Sequence, residues 1–173
     1  ISQVAELQPA KIDKLIYVSA YLPRNGESLA SITSRFLNNK PIEIFEFNKE
    51  YSLVSIKKEA IPEVVCADCP PFMKEALVKY HRPEPARAFN DKVKLGQAFA
   101  RIPKYYISTI NDNAVPYALQ QQMIRENGTV RKIFEMKTYL DCMVCFVRQA
   151  IEAARMITDD ESVHEHITRK VLA

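Results

Sequence analysis

An α/β fold is predicted for this chain by three observations. Residues 1–8 form a helical pattern that leads into a nearly unbroken apolar run at residues 14–22, as expected for a strand covered on both faces of a parallel sheet. A long irregular excursion follows. Residues 103–138 then read as strand, polar turn, helix and strand, and strands alternating with helices build a parallel, helix-covered sheet.

Taken in order, residues 1–8 place Ile1, Val4, Ala5 and Gln8 at helical spacing, and Pro9 ends the run because it lacks an amide hydrogen. The strand run Lys14-Leu-Ile-Tyr-Val-Ser-Ala-Tyr-Leu22 is bounded by Asp13 and Pro23, and Pro23-Arg-Asn-Gly26 turns the chain. In the excursion, residues 28–37 read as a short helix, residues 42–47 and 51–56 pair as a small hairpin, and Pro62 and Pro70-Pro71 open two further helical turns. Insertions of this kind usually cover a site when they lack a core of their own, so residues 27–99 are expected to form a cap or lid.

Residues 105–110 are β-branched and aromatic, Asn111-Asp112-Asn113 is a polar turn, and Pro116 suits a first helical turn. Asn127-Gly128 stops that helix before a strand at residues 130–134. Beyond Thr138 the pattern changes. Val144, Val147, Ile151 and Ala154 share one helical face, and Thr158-Asp-Asp-Glu161 is a capping box that opens a second helix through Val163, Ile167 and Val171. The expected organisation is a domain over residues 1–138 and a helical segment over residues 139–173.

A chain of 173 residues suits one domain, large enough to bury roughly 70% of its unfolded surface. Ten prolines against three glycines leave no glycine-rich phosphate loop. The 24 basic and 21 acidic residues are interspersed, giving a net charge of +3 and a mixed solvated surface, so neither nucleic acid nor membrane is expected as a partner. With no signal peptide and no long apolar run visible, the expected setting is cytoplasmic, with reduced thiols. The opening Ile-Ser-Gln-Val lies in mid-helix without an initiator Met, so the chain reads as a fragment.

Asp112 is the first candidate for chemistry, because it follows a strand's C-terminal end, where open α/β sheets place their sites. The same Asn-Asp-Asn turn also makes a good helix cap, and both readings stand. Catalysis by serine needs a base, an acid and backbone donors for the oxyanion. No Gly-x-Ser-x-Gly elbow is present, and His81, His164 and His166 read as surface or packing residues. The pairs Cys66/Cys69 and Cys142/Cys145 lie too far apart for a zinc ribbon and lack knuckle glycines. They are expected to be free thiols. Cys142 and Cys145, near a helix N-terminus, keep a weaker reactive or metal-binding alternative.

Two blocks carry a resemblance. Residues 3–29, through Lys-Leu-Ile-Tyr-Val-Ser-Ala-Tyr-Leu-Pro, and Tyr106-Ile-Ser-Thr-Ile-Asn-Asp-Asn-Ala-Val-Pro116 resemble the α/β-hydrolase fold, in the esterase branch of plant methyl esterases and hydroxynitrile lyases. Cys66-Ala-Asp-Cys69-Pro and His81-Arg-Pro-Glu-Pro-Ala86 are similar to recurring pieces of its lid, so the match covers roughly residues 1–138. The resemblance implies the C-terminal part of a hydrolase sheet, about three parallel strands, acting on a small ester without a cofactor. It implies that residues 1–8 follow the nucleophile elbow, whose serine lies upstream of Ile1, and that Asp112 is the triad acid. The histidine of the family would follow Thr138, where this chain reads Tyr139-Leu140-Asp141-Cys142.

Residues 136–161 resemble instead the N-terminal helices of the metal-dependent damage-control phosphatases, whose metal-binding part lies far downstream of such a start. No residue here is therefore expected to hold a metal on that account. The expectation is a serine-esterase-type segment, inactive alone because the serine and histidine of the triad are absent. One alternative is a non-catalytic module that pairs through an exposed sheet edge, by self-association or by complementation with a missing hydrolase half. The other is the opening of a phosphatase joined to a hydrolase fragment.

Overall fold

A computed structural model describes residues 1–38, 43–67 and 69–137. The helices expected after Thr138, with Cys142, Cys145, His164 and His166, lie outside the described residues, as does most of the phosphatase-like stretch. Among the described residues no helix is long and apolar enough to cross a membrane.

The framework is a three-stranded parallel sheet of β1 (Leu15–Val18), β5 (Lys104–Thr109) and β6 (Val130–Met136), in the order β1-β5-β6. The central strand β5 is buried along almost its whole length, whereas β6 is mostly exposed, as its Arg131-Lys132 and Glu135 suggest. Tyr17 and Tyr106, register partners on neighbouring strands, stack with ring centroids 6.2 Å apart. Between β5 and β6 runs α7 (Tyr117–Asn127), whose Leu119, Met123 and Ile124 enter the core beside Leu15, Tyr17 and Tyr106. Gly128 ends α7 at φ 67° and its amide reaches the Ile124 carbonyl at 3.1 Å, a left-handed cap that a side chain would strain.

Two of the expected boundaries that move do so for identifiable reasons. The strand read over residues 14–22 ends at Val18 because Ser19 takes a left-handed backbone, φ 43°, and directs the chain out of the sheet. Leu22 stays buried without being in a strand, and apolar content alone cannot tell those two states apart. At the other strand, β5 starts one residue early, on a wholly buried lysine. The Lys104 ammonium donates to the carbonyls of Phe99 at 2.6 Å and Ile102 at 3.0 Å, and lies 4.1 Å from the Phe99 ring centre. It closes the C-terminal end of α6 (Gln97–Arg101), where a cation is favoured, although burial depresses its pKa.

Of the face that its spacing suggests, the first helix, α1 (Ser2–Leu7), buries Ala5 and exposes Ile1, Val4 and Gln8. Ala5 and Ser2 are buried, with Ser2 Oγ 2.9 Å from Tyr17 Oη, while Ile1, Val4 and Leu7 are exposed. Glu6 of the same helix reaches the N-terminus of α6, accepting from the amides of Phe99 at 2.7 Å and Gly96 at 2.9 Å. Those two hydrogen bonds, the Phe99 one first, hold its carboxyl below the usual range.

The insertion between β1 and β5 opens with α2 (Leu29–Phe36), started by Ser28 and Ser31, which cap each other's amides at 3.1 and 2.9 Å. The expected hairpin forms as β2 (Phe45–Phe47) and β3 (Leu53–Ile56), and a third antiparallel strand that sequence reasoning missed, β4 (Glu84–Pro85), joins β3. Two residues give no periodicity to read. The helices α3 (Ile61–Val64), α4 (Pro71–Tyr80) and α5 (Ala86–Asn90) complete it before α6. Ile32 of α2 and Phe99 of α6 belong to the core of the parallel sheet. Arg24 and Arg35 bridge Glu27 to Glu126 of α7, with Arg35 donating to both carboxylates at 2.5 and 2.7 Å. Burial works to raise the Glu27 pKa, and the hydrogen bonds from Arg24 and Arg35 outweigh it and lower it.

Cys66 and Cys69 are joined in a disulfide, which corrects the expectation of free thiols for this pair and takes both sulfurs out of any shared zinc site. The two-residue spacing of the pair, set between α3 and α4, brings their Cα atoms to 5.2 Å, within the span a disulfide bridges.

Candidate active site at the carboxyl edge of the sheet

Asp112 stands three residues beyond the end of β5, and Ser19 directly follows β1, so both lie at the carboxyl edge of the sheet. The Asp112 side chain is buried and hydrogen-bonded at both oxygens. Its Oδ1 accepts the amides of Ala114 at 2.7 Å and Val115 at 2.9 Å, and its Oδ2 accepts from the hydroxyls of Ser19 and, at 3.1 Å, Thr109. The amides it holds belong to the turn ahead of α7, not to the first turn of that helix. The capping alternative therefore takes a modified form, in which the carboxylate closes an Asx-type turn and leaves the helix start to the Pro116 carbonyl.

The oxygen Oδ2 has a second option. Thr109 Oγ1 also lies 2.7 Å from Ser19 Oγ, and a threonine hydroxyl has one hydrogen to give. When Thr109 donates to Ser19, and Ser19 to Asp112, Oδ2 keeps a lone pair unused. Ser19 and Thr109 thus form a hydroxyl relay behind the acid, and neither was singled out from the sequence. The polar interruption of an apolar run at Ser19 was the only signal.

Gln120 fixes this turn from the helix side. Wholly buried, it donates through Nε2 to the carbonyls of Val115 at 2.7 Å and Thr109 at 3.0 Å, and accepts the Thr109 amide at 3.1 Å. Backbone groups at a strand end, which no neighbouring strand serves, are paired this way. Nearby, Tyr106 Oη donates to the Ala20 carbonyl at 2.6 Å. Burial, and after it the Asp112 charge, pushes the Tyr106 hydroxyl above the ordinary tyrosine range, so it remains a neutral donor.

Facing the turn, a cavity of about 190 Å³ opens between Ala114 and Val115 on one side and the small antiparallel sheet on the other. His81, expected as a surface or packing residue, lies in its wall, with Nε2 3.0 Å from Ser55 Oγ. Among the described residues no histidine is hydrogen-bonded to Asp112, and no group of three or more His, Cys, Asp or Glu side chains is arranged to hold a metal ion.

A parallel β1-β5-β6 sheet with a buried acid after its middle strand and an insertion after β1 is the C-terminal part of an α/β-hydrolase sheet. Polyneuridine aldehyde esterase superposes with TM-score 0.76 at 19% identity, over 91% of this chain and 67% of that one. A pyrethroid hydrolase from Sphingobium faniae JZ-2 gives 0.74 at 20% identity, over 91% and 65%, and the methylesterase MES16 from Arabidopsis gives 0.70 at 18%, over 90% and 64%. In sequence, putative methylesterases 13 and 11 of Arabidopsis thaliana, both chloroplastic, are each 25% identical over 146 residues, 79% of this chain. The chain spans about a third of the length of these curated relatives, 33% and 37%. No protein-family model matches it.

Proposed function

We propose that this chain is a segment of a carboxylic-ester hydrolase of the serine type, with Asp112 as the acid that orients the catalytic histidine. The observation that carries the reading is the burial of Asp112 at the carboxyl end of the central strand, on a turn that Gln120 and its own Oδ1 hold in place. The lone pair that the Thr109–Ser19 relay leaves on Oδ2 would receive the imidazole N–H. In such chemistry the serine hydroxyl passes its proton to the imidazole and attacks the ester carbonyl, and the acid stabilises the imidazolium that forms. The names of the similar proteins, methylesterases and esterases, support a small ester as substrate.

The 173 residues contain no nucleophile elbow, and the position after Thr138 holds no histidine, so the chain alone is proposed to be inactive. Assayed with a short-chain p-nitrophenyl ester, it is expected to hydrolyse no faster than buffer. Turnover that Asp112→Ala abolishes would overturn this.

A second reading, a module that pairs through its sheet edge, is favoured by two observations. Ile1, Val4 and Leu7 expose an apolar face of α1, and the β1 amides of Leu15 and Ser19 are both spent on the β5 side. Alternate residues of β1 turn their polar groups the other way, and such an edge recruits another strand. Light scattering across a concentration series would then show dimers that Val4→Glu dissociates. A monomer at every concentration counts against this reading.

A further inference from the structure

The disulfide between Cys66 and Cys69 has no part in the hydrolase chemistry. Chain-entropy arguments tie the stabilisation by a bridge to the size of the loop it closes, and a separation of three residues is among the smallest, so this bridge adds little to the stability of the whole fold. What it holds is local. It joins the end of α3 to the residue ahead of Pro70 and Pro71, which open α4. The helix α3 is a single turn of four residues, too short to persist unaided. Its ties include the disulfide, the buried Ile61 side chain and Asn113, whose Nδ2 donates to the Glu63 carbonyl at 2.8 Å. Asn113 is the neighbour of Asp112, so the bridge and the acid-bearing turn hold the same short helix.

The two sulfurs differ in access. Cys66 is wholly buried, whereas Cys69, 6% exposed, lines an open groove with Lys74, Lys79 and Glu75. A thiolate from solvent therefore has its approach at Cys69. Two ammonium groups against one carboxylate favour an anion in that groove, although Lys74 also lies 3.8 Å from Glu63. The Cys69 amide donates to the Cys66 carbonyl at 3.1 Å, a backbone bond that keeps the two residues close when the sulfurs part and lets the bridge form again.

We propose that Cys66 and Cys69 form a reversible dithiol/disulfide couple, exchanged with an external dithiol, whose oxidised form tightens the turn that carries Asp112 through α3 and Asn113. One thiolate of the reductant attacks Cys69 Sγ, the S–S bond to Cys66 breaks, and Cys66 leaves as a thiolate that takes up a proton. The second thiolate of the reductant then attacks the reductant's sulfur in the mixed disulfide and releases Cys69, which is protonated in turn. Two electrons have passed to the chain, and the reductant ends as a disulfide. The inference deepens the ester-hydrolase reading and rests on it for its purpose, control over the position of the acid. The coupling is read without any hydrolysis, so the failure of one is distinguishable from the failure of the other.

The test equilibrates the whole chain, carrying Cys142→Ser and Cys145→Ser so that only the one pair reports, in buffers of graded oxidised-to-reduced dithiothreitol without denaturant. Thiol labelling read by mass spectrometry is expected to show the pair titrating fully and reversibly. On reduction the amides of Ala114 and Val115, both accepted by Asp112 Oδ1, should exchange with deuterium about fivefold faster, the effect of one net hydrogen bond. The Leu15 amide, bonded to the Pro103 carbonyl at 2.9 Å, should not change, which shows that the sheet is intact. Coupling is reciprocal, so Asn113→Ala should make the pair about fivefold easier to reduce and remove the redox dependence of the two amides. A bridge that only staples α3 to α4 would move neither quantity. Reduction that proceeds only in denaturant, equal exchange of the Ala114 and Val115 amides in both states, or a reduction equilibrium unmoved by Asn113→Ala would overturn the proposal.

Discussion

Replacing Gln120 by leucine is expected to destabilise the chain by about 3 kcal/mol, because it strands three buried backbone groups at roughly 1 kcal/mol or more each. Those groups are the Thr109 amide, the Thr109 carbonyl and the Val115 carbonyl, all served by one side-chain amide. Leucine matches glutamine in size and helix propensity, so packing and helix formation change little. In a protein of this size the loss corresponds to a drop in melting temperature on the order of 10 °C. Urea unfolding followed by circular dichroism measures it. Gln120→Glu sharpens the test, since a carboxylate accepts the Thr109 amide but cannot donate to either carbonyl, and it should cost at least as much. A leucine variant within about 1 kcal/mol of the parent would mean that water or a shifted backbone satisfies these groups.

Asp112→Ala is the second large effect, about 2–4 kcal/mol, because the amides of Ala114 and Val115 and the hydroxyl of Ser19 lose a charged acceptor together. The two hydroxyls can turn to one another, whereas the amides of the turn have no substitute. Asp112→Asn separates the roles. Its carbonyl keeps both amides, and its NH₂ faces Ser19, which can accept, so most of the stability should remain, within roughly 1.5 kcal/mol of the parent. A residue that only waited for a histidine would lose little stability in either variant. Equal losses for alanine and asparagine would place the stabilisation in the charge and not in the turn.

Much of the framework was legible because it rests on patterns with a fixed period. The parallel strands, α7 with its glycine stop, the capped α2 and the hairpin at Phe45 and Leu53 all follow from apolar spacing and from residues whose backbone preferences are strong. Where the reading slipped, a long-range contact had overridden a local rule. A lysine is a poor choice for a buried strand, yet Lys104 begins β5 because α6 presents it with a set of open carbonyls. Ile1, Val4 and Ala5 have the spacing of a packing face, yet only Ala5 of the three is buried, and Ser2 joins it beside the hydroxyl of Tyr17. Cys66 and Cys69 pair in a disulfide because the turn between α3 and α4 brings them together, which composition does not reveal.

The candidate site divides along the same line. Asp112 could be singled out from sequence alone, since a polar turn after a buried strand marks the carboxyl edge of the sheet wherever the strand goes. Its surroundings could not. Ser19 lies 93 positions from Asp112 in sequence, Ser55 lies 26 from His81, and Gln120 sits in a run of three glutamines of which the helix turns one wholly inward. Sequence periodicity fixes which face of an element is apolar, and so it determined the sheet, its helix and the place of the acid. Which polar groups converge on that place depends on how separate elements dock, and only the tertiary structure decided that.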